Sequence, residues 1–123
     1  PAGAENLAIS SDGKKIFVTV TSGHNANKPG KETGQIVIVD TETLKQLSVI
    51  DIPLDPYEAV ELGGKLYVSG GSNQHTKILE INYNKKDDFL AWGGAYQLAP
   101  LRKLPESDRI YFSSHGISPG NIT

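Results

Sequence analysis

Lys15-Ile16-Phe17-Val18-Thr19, Lys65-Leu66-Tyr67-Val68-Ser69 and Arg109-Ile110-Tyr111-Phe112-Ser113 are three versions of one pattern. Each reads basic, aliphatic, aromatic, apolar, hydroxyl. Their aromatic residues are 50 and 44 positions apart. Self-similarity at a period of about 40 to 50 residues marks a repeat architecture and decides the fold before any single element does.

The surroundings of the first two copies also match. Leu7-Ala8-Ile9 precedes one and Ala59-Val60 the other, and the turns between are Ser11-Asp12-Gly13-Lys14 and Gly63-Gly64. Glycine takes a positive φ without steric cost, as a tight hairpin requires. Downstream, Gln35-Ile36-Val37-Ile38-Val39-Asp40 corresponds to Lys77-Ile78-Leu79-Glu80-Ile81-Asn82, 42 positions later. A polar turn and a further run follow each: Leu47-Ser48-Val49-Ile50-Asp51-Ile52 and Phe89-Leu90-Ala91-Trp92. β-branched and aromatic enrichment, broken every ten or so residues, predicts strands throughout. No long window has apolar residues at helical spacing. Thr41-Glu42-Thr43-Leu44-Lys45 reads as a hairpin turn after Asp40.

The unit is four antiparallel strands, repeated, which is the content of a β-propeller blade. The fold class is all-β. Blades are expected at residues 4–52 and 57–94, with a partial blade at 95–123 in which residues 101–108 lengthen the turn before Arg109. The near-continuous apolar runs at 16–20 and 36–39 suit a sheet covered on both faces. Phe17, Val18, Ile36, Ile38, Leu66, Tyr67, Val68, Ile78, Ile81 and Trp92 are the expected core. A closed propeller takes typically four to eight blades. Two and a half blades therefore call for remaining blades or further copies of the chain, and a chain that opens on Pro1 and lacks Met reads as a piece of something longer.

Composition sets the outer bounds. The chain has 123 residues, 37% hydrophobic and 21% charged, with 13 Gly and 7 Pro, which is a globular balance. No apolar stretch approaches the roughly 20 residues of a membrane helix. A net charge of -2, without a basic stripe, argues against a nucleic-acid partner. The absence of cysteine excludes disulfides, thiol nucleophiles and thiolate metal sites.

Leu7-Ala8-Ile9-Ser10-Ser11-Asp12-Gly13-Lys14-Lys15-Ile16-Phe17-Val18-Thr19 resembles the core of the YVTN family of β-propeller repeats. Ile38-Val39-Asp40-Thr41-Glu42-Thr43 resembles that family's strand end, and Asp55-Pro56-Tyr57 its Pro-Tyr opening of the next blade. The likeness spans nearly the whole chain. The signature Asn is replaced by Val20, Gly70 and Ser114, and a long loop at 21–34 interrupts the first blade. This resemblance implies a repeat protein outside the cytoplasm: periplasmic, secreted or at the cell surface. Gly3-Ala4-Glu5-Asn6-Leu7 looks like a blade start in six-bladed calcium-dependent lactonases of the paraoxonase type. That likeness implies a calcium site at Glu5 and Asn6. The alternative is a polar turn entering a strand, and the second blade places Pro56 and Tyr57 opposite the pair.

The chemistry-bearing residues gather at one end. Connections between the second and third strands of a blade share a face with the blade-to-blade links, and the three histidines, His24, His75 and His115, fall in or beside them. Imidazole binds metals and titrates near neutrality. The other reading is polar residues in loops, where polar residues belong. Asn25 and Asn27 sit with His24 in the long loop, and a structureless loop above about 12 residues is often functional. No Gly-x-Ser-x-Gly elbow, P-loop or dinucleotide fingerprint occurs. Asn121-Ile122-Thr123 is a glycosylation sequon. The expected function is a non-catalytic module that binds a protein or surface glycan through its loop-rich face. A calcium-dependent lactonase or esterase, and a redox or metal-binding propeller using rim histidines, are the alternatives.

Overall fold

The computed structural model of the chain describes residues 3–21, 33–71, 75–85, 88–96, 100–103 and 109–112, without the side chains of 75, 76, 92–96 and 112. The first sheet is β1 (Gly3–Ile9), β2 (Lys15–Thr21), β3 (Gly34–Asp40) and β4 (Gln46–Ile52). The second is β5 (Pro56–Leu62), β6 (Lys65–Gly70), β7 (His75–Ile81) and β8 (Phe89–Tyr96). The third is β9 (Leu101–Lys103) and β10 (Ile110–Phe112). Neighbours in sequence are neighbours in space, and every pairing is antiparallel. The chain is all-β, and the described residues contain no helix.

Turn chemistry sets the hairpins. Gly63 and Gly64 both have positive φ, 62° and 80°, as a two-residue turn twisted to match its strands requires. Gly13 has φ 73°, and its amide donates to Ser10 O. Asp12 accepts from Ser10 Oγ at 2.6 Å and the Lys14 amide at 2.9 Å. The Ser10 hydroxyl bond, then the Lys14 amide bond, hold its carboxyl below the usual range. The turn after Asp40 is closed by Asp40 Oδ2, which accepts from Thr43 N and Thr43 Oγ1, both at 2.8 Å. Those two bonds likewise lower the Asp40 carboxyl. Leu44 then takes φ 59°, a left-handed conformation that costs a branched side chain energy.

Strand alternation assigns the faces. Phe17, Ile36, Ile38 and Ile52 point from the first sheet into a core completed by Leu54 and by Ala59, Leu66, Val68, Leu79 and Ile81 of the second. Phe17 also meets Tyr83, ring centroids 4.7 Å apart. The opposite face of the second sheet carries Val60, Tyr67 and Ile78, which pack with Leu101 and Ile110 of the third. The second sheet is therefore covered on both sides. Among the described residues the first is covered on one only: Leu7 and Ile9 on its other face are 67% and 62% exposed. The first strands lie side by side, β1 with β5 and β5 with β9. β4 and β8 share no comparable contact among the described residues.

Of the expected core, Phe17, Ile36, Ile38, Leu66, Val68, Ile78 and Ile81 are buried. Val18 and Tyr67 are half-buried, and the Trp92 side chain lies outside the described residues. Several boundaries differ from the sequence reading: β1 and β5 begin at Gly3 and Pro56, one residue ahead of 4 and 57. β8 continues through Ala95 and Tyr96, beyond residue 94, because Tyr96 pairs with His75. Leu101–Lys103 reads as part of a lengthened turn yet forms β9, because the Leu101 amide and the Arg102 and Lys103 side chains find partners on β5.

Candidate functional site

Two regions gather polar residues. The first is the end of the sheets where β2 leads to β3, β6 leads to β7, and β4 crosses to β5. The crossing is short, Pro53-Leu54-Asp55, and Asp55 is fully buried beneath it. Thr21 Oγ1 donates to Asp55 Oδ1, which ties the last residue of β2 to the crossing. The Gly71 amide donates to Asp55 O at 2.8 Å, tying in the end of β6. Gly34 opens β3 directly against this crossing, where a Cβ would lie 2.2 Å from Pro56 Cδ. One residue thus braces three chain segments. Beside them Val20, Thr21, Gly34, Gln35, Asp51 and Ile52 line a cleft of about 460 Å³. Gln35 Nε2 donates to Asp51 Oδ1 at 2.9 Å across its mouth.

His75 belongs to this end. It is the first residue of β7, level with Tyr96, rather than a loop residue. His24, Asn25, Asn27 and His115 lie outside the described residues, as does the Asn121 sequon. Among the described residues no group of three or more His, Asp or Glu side chains is placed to hold a metal.

The second region runs along the adjacent first strands, where a cleft of about 340 Å³ lies between β1, β5 and β9. Asn6 Nδ2 donates to Tyr57 O at 2.7 Å, so this amide links β1 to β5. Glu5 is exposed on β1. Glu58 repeats the linking role one sheet on: Oε1 accepts from the Leu101 amide at 2.9 Å and from Arg102 Nη1 at 2.8 Å. Asn6 and Glu58 are structural equivalents. The Asn6 amide meets Thr19 Oγ1 and the Glu58 amide meets Ser69 Oγ, and these hydroxyls close the same five-residue pattern. The sequence alignment pairs Asn6 with Tyr57 instead. Both strands carry the same bulge, between Ala4 and Asn6 and between Pro56 and Ala59, and the slip comes instead from the hairpin turn before β2, which is longer than the Gly63-Gly64 turn before β6.

Glu61 is 4% exposed and fully engaged: Oε2 accepts from the Ser11 amide at 2.7 Å and Oε1 from Ser11 Oγ at 3.1 Å. Lys103 Nζ donates to Glu61 O at 3.0 Å and Ser11 Oγ at 3.3 Å, drawing all three sheets together. A buried carboxylate needs such partners to offset its lost hydration. Glu58, Glu61, Asp55, Arg102 and Lys103 escape a motif search because each acts across sheets on a partner some 30 to 90 positions away. The legible trace is the hydroxyl at Thr19 and Ser69, which marks the amide it receives.

Chemically, these groups connect strands. Among the described residues no buried side-chain nitrogen or oxygen lacks a partner. Nor is any helix there long and apolar enough to cross a membrane. No protein-family model matches the chain, and no curated protein matches it either.

Proposed function

We propose that the chain is a run of β-propeller blades, of YVTN kind by resemblance, that acts outside the cytoplasm. It binds a protein or surface glycan, without catalysis, through the end bearing the second-to-third connections. The stacking of the sheets supports the architecture: the second is covered on both faces, in the same sense, and among the described residues the first strands meet more closely than the fourth. Blades around a central axis have that geometry.

The observation that carries the binding role is the brace at Thr21, Gly34 and Asp55. It gives residues 22–33, the long connection, two fixed ends on one buried support. Binding residues belong on loops held by a rigid scaffold. His75 stands at the same end, on the neighbouring sheet.

The test is an array of immobilised bacterial and animal surface glycans probed with the intact chain and two variants. One replaces residues 23–32 by a short Gly-Ser link, and the other is His24→Ala/His75→Ala/His115→Ala. Saturable binding that falls at least tenfold in the exchanged variant, with unchanged circular dichroism, is expected. Binding that ignores the exchange would place the contact elsewhere and sink the proposal.

A further inference from the structure

We infer that the groove between β4 and the turn from β7 to β8 receives an extended segment of a partner protein, which adds antiparallel to the open edge of β4 and sets a carboxylate against Lys15 and Lys85. The two sheets differ in one counter-ion. Phe17 pairs with Ile38 and Tyr67 with Glu80, so Ile38 and Glu80 hold the same place in the repeat, as Lys15 and Lys65 do. In the second sheet Lys65 Nζ donates to Glu80 Oε2 at 3.2 Å, and the cation is matched within its own sheet. In the first sheet buried Ile38 stands where that carboxylate would be. Lys15 Nζ lies instead 5.7 Å from the centroid of the Tyr83 ring.

The groove holds unmatched positive charge. Ile38, Ser48, Ile50, Tyr83, Lys15 and Lys85 line a space of about 510 Å³ between the two sheets. Neither Lys15 nor Lys85 has an ion-pair partner among the described residues. The acidic groups that influence Tyr83, Glu61 and Asp12, are already taken, Glu61 by Ser11 and Asp12 by Ser10 and the Lys14 amide. Asp51 turns to the other face, where it accepts from Gln35 Nε2. Ile38, Ile50 and the Tyr83 ring form an apolar floor between the two cations.

β4 supplies the second half of the site. It ends its sheet, with β3 on one side and no strand on the other among the described residues. Such an edge offers unpaired N–H and C=O groups to an added strand. Edges are commonly blunted by Lys or Pro, and residues 46–52 contain neither. The bulge of β4 falls at its start, which leaves Ser48 to Ile52 in regular register. An added strand would turn every second side chain into the groove, on the side of Ser48 and Ile50. Lys15 pairs with Asp40, so it stands level with the beginning of β4. The acidic side chain therefore belongs there, and apolar ones over Ile50. Lys15 opens β2, away from the end that follows Thr21, so this site is separate from the loop-borne one.

The probe is an acetylated, amidated peptide, Thr-Val-Thr-Val-Thr-Glu-Thr, titrated into the intact chain by calorimetry and amide NMR. Saturable binding with shifts along residues 46–52 is expected. Exchanging the peptide's Glu for Gln should weaken binding about fivefold, as for a partly exposed ion pair. In Lys15→Gln/Lys85→Gln the same exchange should change affinity less than about twofold, the mark of a direct coupling. A strand on an edge uses alternate N–H groups, so N-methylation of the Thr amides and of the Val and Glu amides should differ, one set abolishing binding and the other sparing it. Absence of binding, or shifts confined to other strands, overturns the site. Equal affinity for the Glu and Gln peptides overturns the role of the lysines. An equal response to both methylated sets overturns strand addition, and with retained binding it leaves a bare carboxylate pocket.

Discussion

Gly34→Ala isolates the brace between the first two sheets. A Cβ at this position would sit 2.2 Å from Pro56 Cδ, 2.7 Å from Leu54 O and 3.0 Å from Val20 O. Carbon atoms rest roughly 3.5 to 4.0 Å apart, so Pro56 would have to withdraw by roughly 1.3 Å or more. It has little room to do so. Pro56 is buried, starts β5 in register with Gly70, and follows an Asp55 held by Thr21 and Gly71. Two of the three clashing atoms are backbone carbonyls, which no rotamer change can move. The cost should be roughly 3 kcal/mol, the upper end for a methyl forced into a packed interior. With a urea dependence of roughly 1.5 kcal/mol per molar, the unfolding midpoint should fall by roughly 2 M. Gly3→Ala is the control, since nothing lies within 4 Å of its added Cβ. Gly13→Ala separates steric from conformational cost: its site is open, but φ is 73°, so only backbone strain of about 1 to 2 kcal/mol applies. A Gly34→Ala chain that unfolds within about 0.5 kcal/mol of its parent would show that the crossing yields easily, and would refute the brace.

Further expectations bear on the core, the turns and the acid limb. Ile38→Ala, at a site 2% exposed between the sheets, should cost about 2 to 5 kcal/mol in urea unfolding. Leu44→Gly should raise stability by about 1 kcal/mol, because the 70% exposed side chain gives up little packing while glycine relieves the left-handed backbone. Asp12 and Asp40 have lowered carboxyls in the folded chain, so their support is present above the unfolded carboxylate value and is lost as pH falls through the lower folded one. Acid unfolding followed by circular dichroism should therefore show a loss of stability below about pH 4, and Asp12→Asn/Asp40→Asn should flatten it.

Most of the strand framework was legible because burial and pairing repeat. The basic-aliphatic-aromatic-apolar-hydroxyl pattern falls on β2, β6 and β10, and its glycine turns have the positive φ they imply. β9 was hidden because Arg102 and Lys103 make Leu101–Lys103 look like turn sequence. Their charges are compatible with a strand only because Glu58 and the Glu61 carbonyl await them, and nothing local announces those partners. The linking role of Glu58 was hidden by the unequal hairpin turns before β2 and β6, which displace β1 against β5 in a comparison anchored on the repeated pattern. Of the loop-bearing end, His75 could be found by residue type and the Thr21–Asp55 tie could not, since it depends on a crossing between sheets.

The two sides of the first sheet follow different rules, and Ile9 shows why. Its counterpart on the second sheet is Glu61, and on the third Lys103, both facing back toward the preceding sheet. Glu61 can be buried there because the Ser11 turn arrives with an N–H and an O–H already in place, supplied by the same polypeptide. A carboxylate buried without such donors would be heavily penalised. Ile9, 62% exposed, makes no such demand. Leu7, Val18, Val37 and Val49 around it make none either. That apolar rung needs no preset hydrogen-bond partner, and the polar pair beside it on the same face, Gln35 and Asp51, satisfies itself within the sheet. Polar ties thus mark the contacts between sheets joined within this chain.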